Sequence, residues 1–223
     1  MSKKPKKSKF ANGKPTLEFE TLAGFPKRLI AGVDEAGRGC LAGPVTSAAV
    51  VLPRIVSFET DPWLFHIQDS KKLSAEKREE LFPKIQAWAA AWAVGMASPE
   101  EIDKLNIHYA AHLSMFRSVE GLAVKPDHVL VDGNFVPKSF VDLGLSGTAI
   151  VKGDLRCLSI AAASILAKVS RDRLMVALEC EYPGYGFAVH KGYPTPVHVE
   201  SLKRLGVTGI HRRTFGPVAS LLI

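Results

Sequence analysis

Four acids in this 223-residue chain stand where short apolar runs meet glycine: the pair Asp34-Glu35, Asp132 and Asp154. The runs are Arg28-Leu-Ile-Ala-Gly-Val-Asp34, His128-Val-Leu-Val-Asp132 and Thr148-Ala-Ile-Val-Lys-Gly-Asp154, each short enough for a buried strand. Ligands gather at strand ends in open α/β sheets, so neighbouring strands would bring four carboxylates into one small volume. Such a cluster repels itself unless cations neutralise it or some acids keep their protons. Its natural occupants are hard divalent cations with oxygen ligands, Mg²⁺ or Mn²⁺. Two such ions about 4 Å apart can activate a water and stabilise the leaving oxygen in phosphodiester hydrolysis. Any single acid after a strand is more often a turn residue or a helix cap, and Asp132-Gly is ordinary turn chemistry. Asp34-Glu35, followed by a glycine run, is the pair that favours function by itself.

The elements that must position these acids are legible as an alternating pattern. After the strand ending at Asp34, Gly37 and Gly39 break the chain, and Pro44 to Leu52 reads as a second strand stopped by Pro53. Ser74 opens a helix with Glu76 in its first turn, and Ala90 to Met96 reads as a third strand. Ser98-Pro-Glu-Glu101 has the form of a capping box with proline at the first helical position. Its helix is expected to run to about Val119. Two further strands, ending near Asp132 and Asp154, precede a long helix from Leu158 to about Glu181 and an amphipathic one over 196–205. Three early strands, then helices alternating with two more, predict an α/β fold: a mixed five-stranded sheet with helices on its faces and a C-terminal helical part.

Other chemistries fit poorly. Gly37-Arg-Gly39-Cys-Leu-Ala-Gly43 is one residue too long for a dinucleotide fingerprint, and Pro44 falls where that motif needs a helix interior. A P-loop needs Gly-Lys-Ser/Thr, which is absent. His108 and His112 have i, i+4 spacing but lack the glutamate of a metalloprotease, so helix-surface histidines are the better reading. Ser74 and Ser164 have no evident histidine partner. Cys40, Cys157 and Cys180 are odd in number and widely spaced, against a disulfide framework or structural zinc.

Six lysines precede the first acid, Glu18, and account for six of the seven net positive charges. The expectation is a basic, disordered tail over 1–17 and one domain over 18–223. The tail suits loose attraction to a polyanion, with a purely solubilising role as the alternative. With no signal peptide and no long apolar run, the expectation is a soluble, cytoplasmic monomer with no membrane partner.

At Ala31-Gly-Val-Asp-Glu-Ala-Gly-Arg-Gly39 the chain closely resembles the ribonuclease HII family. The likeness continues through Asp69-Ser-Lys-Lys-Leu73, Leu130-Val-Asp-Gly133, Val151-Lys-Gly-Asp154 and Ile160–Val169, then His190-Lys-Gly-Tyr-Pro194 and His211–Pro217. The resemblance implies an RNase H-like fold and a two-metal endonuclease that cuts RNA in RNA–DNA hybrids or ribonucleotides embedded in DNA. Cleavage 5′ of a ribonucleotide would leave a 3′-hydroxyl and a 5′-phosphate. It also implies that Asp34, Glu35 and Asp132 bind the metals, with Asp154 as the fourth acid. Asp172 competes for that last place; Asp154 is favoured because it ends a strand, whereas Asp172 lies well along a helix. By the same resemblance the backbone of Gly37, Arg38 and Gly39 lies against the ribose 2′-OH, and Tyr193 stacks on the sugar of the next deoxynucleotide. Type 3 relatives typically carry Gly-Lys-Gly and an extra N-terminal domain, so Arg38 points to type 2. Another RNase H-like nuclease, cutting all-DNA substrates, and a non-catalytic binding module are the competing readings.

Overall fold

The computed structural model describes residues 14–222. Five strands form one mixed sheet: β1 (Ile30–Ala36), β2 (Val45–Val51), β3 (Ala91–Ala97), β4 (His128–Asp132) and β5 (Gly147–Ile150), in the order β3-β2-β1-β4-β5. The first three form an antiparallel meander, whereas β4 and β5 run parallel to β1. β2 is buried along its whole length, and Val, Ala and Ile fill these central strands because helices cover both faces.

On one face lies α4 (Leu158–Glu181), with α2 (Ala75–Trp88) beside it; Ala161, Ala162, Ile165 and Leu166 pack with Val50, Leu81 and Ile85. α4 sits very close to the sheet, since a Cβ on Gly32 would come within 2.2 Å of the Ser159 backbone. On the other face, α3 (Pro99–Glu120) packs Met115 and Val119 against Val33, Val131 and Ala49. The smaller helices α5 (Phe187–His190), α6 (Pro196–Leu205) and α7 (Gly216–Ala219) gather around Leu41, Met175, Phe187, Leu202 and Val218. This is the C-terminal helical part, and it packs on the loop that leaves β1.

The capping box of α3 is present: Ser98 accepts from the Glu101 amide and Glu101 accepts from the Ser98 amide. The helix is not continuous as expected. Asn106 adopts φ 66°, ψ 164°, and its carboxamide oxygen caps a fresh start by accepting from the amides of His108 and Tyr109. Of the tail expected over 1–17, residues 1–13 lie outside the described residues. Thr16 is already docked: its amide donates to the Arg156 carbonyl and its carbonyl accepts from Leu158. A short helix not anticipated from the sequence, α1 (Glu18–Leu22), follows. Its buried Glu20 accepts from the Ser159 amide at 2.8 Å and hydroxyl at 2.7 Å, capping the start of α4.

Candidate active site

β1 and β4 are parallel neighbours with Val33 opposite Val131. The next residues along are Asp34 and Asp132, so the two acids stand side by side at the carboxyl edge of the sheet. β1 continues past them to Ala36, which places Asp34 and Glu35 inside the strand and not beyond it. Asp154 departs from expectation: β5 stops at Ile150, and Asp154 lies in a short 3-10 turn, Gly153–Leu155. The left-handed conformation of Lys152 (φ 55°) ends the extended run. The turn folds back onto the neighbouring acid, because the Gly153 amide donates to Asp132 Oδ1 at 2.6 Å. A strand-end rule thus selects Asp154 for the wrong local reason.

The electrostatics tie the four acids together. Burial pushes the Asp34 carboxyl well above the usual carboxylate range, and Glu35, Asp132 and Asp154 push it further. Burial also raises Glu35, although the Arg38 guanidinium, 3.3 Å away, pulls it back. Asp154 is pushed up to about 6 by burial and then by Asp132 and Asp69. Asp172 belongs elsewhere: on α4 it meets Lys168 at 2.7 Å and Arg78 at 3.8 Å, and lines a cleft with Arg173 and Lys191. Hard carboxylate oxygens that raise one another's pKa form a donor set suited to divalent cations of the Mg²⁺ or Mn²⁺ type. Among the described residues, no three acidic, histidine or cysteine side chains already form a ligand cage. The rings of His108 and His112 lie against each other on α3, centres 4.3 Å apart and tilted by 56°.

The loop after β1 is held from below by two fully buried arginines. Arg212 donates to the carbonyls of Gly37 (2.7 Å), Arg38 (2.8 Å) and Gly43 (3.0 Å). Arg171 donates to those of Ala42, Pro44 and Lys191. Gly37 is dictated by packing, since it has φ 91° and a Cβ there would strike Arg171 Nε at 2.0 Å. Gly39 is different: it is exposed, and a Cβ would meet nothing within 4 Å. No fold contact requires that glycine. Tyr193 follows α5, about one-third exposed, with Lys168 Nζ 5.4 Å from its ring centre. Its amide donates to the His190 carbonyl.

A family model described as Ribonuclease HII matches residues 31–218. The chain belongs to the ribonuclease HII family. It is 51% identical over 212 residues to ribonuclease HII of Vibrio cholerae, covering 94% of this chain and 97% of that one. The Paracoccus denitrificans ribonuclease HII is 55% identical over 195 residues, 87% of this chain and 88% of the relative. Among solved structures, ribonuclease H2 of Pyrococcus horikoshii superposes with a TM-score of 0.73 at 31% identity, covering 86% of this chain and 96% of the other. The RNase HII in a PCNA:RNase HII complex from Archaeoglobus fulgidus gives 0.69 at 30%, covering 84% and 95%. Bst-RNase HIII, solved with Mn²⁺, shares the fold at 0.67 and 18% identity. The enzyme is therefore a metal-dependent endoribonuclease of RNA–DNA hybrids with an RNase H-like fold. Among the described residues, no helix is long and apolar enough to cross a membrane.

Several residues beside the acids carry no sequence assignment. Burial opposes the charge on Lys71, but Asp34, Asp69, Asp154 and Asp132 around it outweigh burial and raise its pKa. Its loop is pinned by Arg78, which donates to the Ser70 and Leu73 carbonyls, and by Ser164, whose hydroxyl accepts from the Ser70 amide. Asp69-Ser-Lys-Lys-Leu73 was the available signal, as an acid and two lysines within five residues. Nothing in its spacing says that it folds against the sheet edge.

Proposed function

We propose that this ribonuclease H cuts on the 5′ side of a ribonucleotide, including a single one embedded in duplex DNA, using two divalent cations, Mg²⁺ or Mn²⁺. Asp34, Glu35 and Asp132 are the residues that would hold the metals, with Asp154 as the fourth acid. The observation that carries this reading is the side-by-side placement of Asp34 and Asp132 on parallel neighbours, with the Asp154 turn bonded to Asp132. Bound cations would supply charge neutralisation, an activated water and stabilisation of the departing oxygen. The chain's own residues then orient the substrate. The Gly37-Arg38-Gly39 backbone, fixed by Arg212, is suited to lie against the 2′-OH, the one group that marks a ribose. Tyr193 offers its ring face to the sugar that follows, and Lys71 adds a positive charge beside the acids.

In the step itself, water oxygen bonds to phosphorus and the bond to the 3′ oxygen of the preceding nucleotide breaks. The 3′ oxygen leaves protonated, and the phosphate stays on the ribonucleotide. The 2′-OH is recognised and does not react. The test is a DNA duplex holding one ribonucleotide, incubated with Mg²⁺, with both new ends mapped. A 3′-hydroxyl and a 5′-phosphate flanking the 5′ side are expected, and Tyr193→Phe should retain more of this activity than Tyr193→Ala. Cutting on the 3′ side, a 2′,3′-cyclic phosphate, or equal cutting of all-DNA duplex overturns the assignment.

A further inference from the structure

Three buried histidines, His190, His198 and His211, lie together in the C-terminal part, and the hydrogen bonds around them leave each only one neutral form. His198 Nδ1 is 2.9 Å from the Tyr193 carbonyl, which can only accept, so Nδ1 carries the hydrogen. In the neutral ring Nε2 is then a bare lone pair. It faces His211 Nε2 at 3.3 Å, so His211 must donate from that nitrogen. The Nδ1 of His211 must in turn accept, and it does, from the amide (3.1 Å) and hydroxyl (2.8 Å) of Thr208. His190 closes the arrangement: Nε2 donates to the Tyr185 carbonyl at 2.8 Å and Nδ1 accepts from the Gly192 amide at 3.1 Å. Its ring stacks on His198 at 4.4 Å, tilted by 14°. No second proton fits between the facing nitrogens, and burial lowers the pKa of both His198 and His211.

The other end of this chain of bonds adjoins the loop after β1. His211 precedes Arg212, whose guanidinium grips the Gly37 and Arg38 carbonyls, and whose amide donates to the Leu41 carbonyl. The Leu41 amide donates to the Gly192 carbonyl, next to Tyr193. Two consecutive residues therefore reach the two pieces that would read the ribose and the deoxyribose that follows it.

We propose that His198 and His211 are positioning residues: they hold the Tyr193 backbone in fixed register with Gly37–Gly39 and so set the preference for a ribose followed by a deoxyribose. This rests on the sugar-stacking reading of Tyr193. It differs from simple core filling in which atom matters. An asparagine at 198 can place its amide N–H where Nδ1 stood and keep the bond to the Tyr193 carbonyl. A glutamine fills more volume but reaches toward His211 and leaves that carbonyl unbonded.

The experiment compares kcat/KM on a single-ribonucleotide duplex with kcat/KM on a uniform RNA–DNA hybrid, for wild type, His198→Asn, His198→Gln and Tyr193→Ala. The ratio should stay within about threefold of wild type for His198→Asn and fall about tenfold or more for His198→Gln and Tyr193→Ala, the scale of loss expected for misplacement by a fraction of an ångström. If Tyr193→Ala leaves the ratio unchanged, the stacking reading fails and this inference with it. If Tyr193→Ala lowers it but the two His198 variants match, or glutamine performs better, the positioning role alone is overturned. A readout on the wild-type protein covers variants that do not fold. Nitrogen NMR of the imidazoles should find the hydrogen on Nδ1 of His198 and on Nε2 of His211, and the opposite pair of tautomers overturns the inference directly.

Discussion

Asp34 and Asp132 can each be changed to asparagine, which keeps the shape and removes one charge from a cluster in which the pKa of Asp34 and of Asp154 is already raised. If they hold the cations, Asp34→Asn or Asp132→Asn should slow cleavage by about 10²- to 10⁴-fold, the equivalent of several kcal/mol of lost stabilisation in the transition state. Hybrid binding should persist or tighten, since a negative charge facing phosphates is gone. Near wild-type rates in either variant would remove that acid from the site. Asp154→Asn and Asp172→Asn separate the two claimants for the fourth place. The first should be much slower in single-turnover cleavage, because Asp172 is engaged by Lys168 and Arg78; the reverse order would hand the role to Asp172. At this scale the sequence was informative about the acids because few residue types can serve the chemistry. Lys71 was not legible: its position depends on Arg78 and Ser164 clamping a loop, and no local spacing encodes that clamp.

At the scale of elements, apolar runs and caps located the strands and long helices, and both ends of α6 follow the proline and glycine that bound it. What escaped was structure created by contacts distant in sequence. β5 stops short because its chain turns back to bond Asp132, and α1 is a short helix that hydrophobic periodicity alone does not reveal. α1 nevertheless has a structural task. Cys157 offers no side-chain cap to α4, and Glu20, 139 residues away from Ser159, supplies one through two bonds to that serine. Glu20→Ala leaves both donors buried without a partner and should cost about 2 kcal/mol, read as a lower urea midpoint. Glu20→Gln should lose less, because its carbonyl oxygen can still accept. A loss below about 0.5 kcal/mol for alanine would show that water or another group takes over the cap.

For the whole molecule, the carboxylate cluster makes stability, pH and cation binding one linked problem. Asp154 has a carboxyl pKa of about 6 against an ordinary 3.8, so between those values the folded protein holds a proton that the unfolded chain has released. Stability without cations therefore falls as pH rises through that window, and the raised Asp34 and Glu35 act in the same direction. His211 acts oppositely. Its pKa is lowered to about 4, so from there up to about 6.5 the unfolded chain binds more protons and stability rises with pH. The raw melting temperature mixes these effects, but the difference between melts with and without cation isolates the cluster, because His211 contributes equally to both. Cations compete with protons for the same oxygens, so the gain from Mg²⁺ or Mn²⁺ over EDTA should be small at pH 5 and large at pH 8. At a hundredfold excess over Kd the stabilisation is about 2.7 kcal/mol, or about 5–10 °C for a chain of this size. Asp34→Asn and Asp132→Asn should lose most of the gain at pH 8 while melting higher than wild type in EDTA, since each relieves repulsion among buried charges. A gain as large at pH 5 as at pH 8, or one that survives in both variants, would place the cation away from these acids and overturn the link between the cluster and the metal.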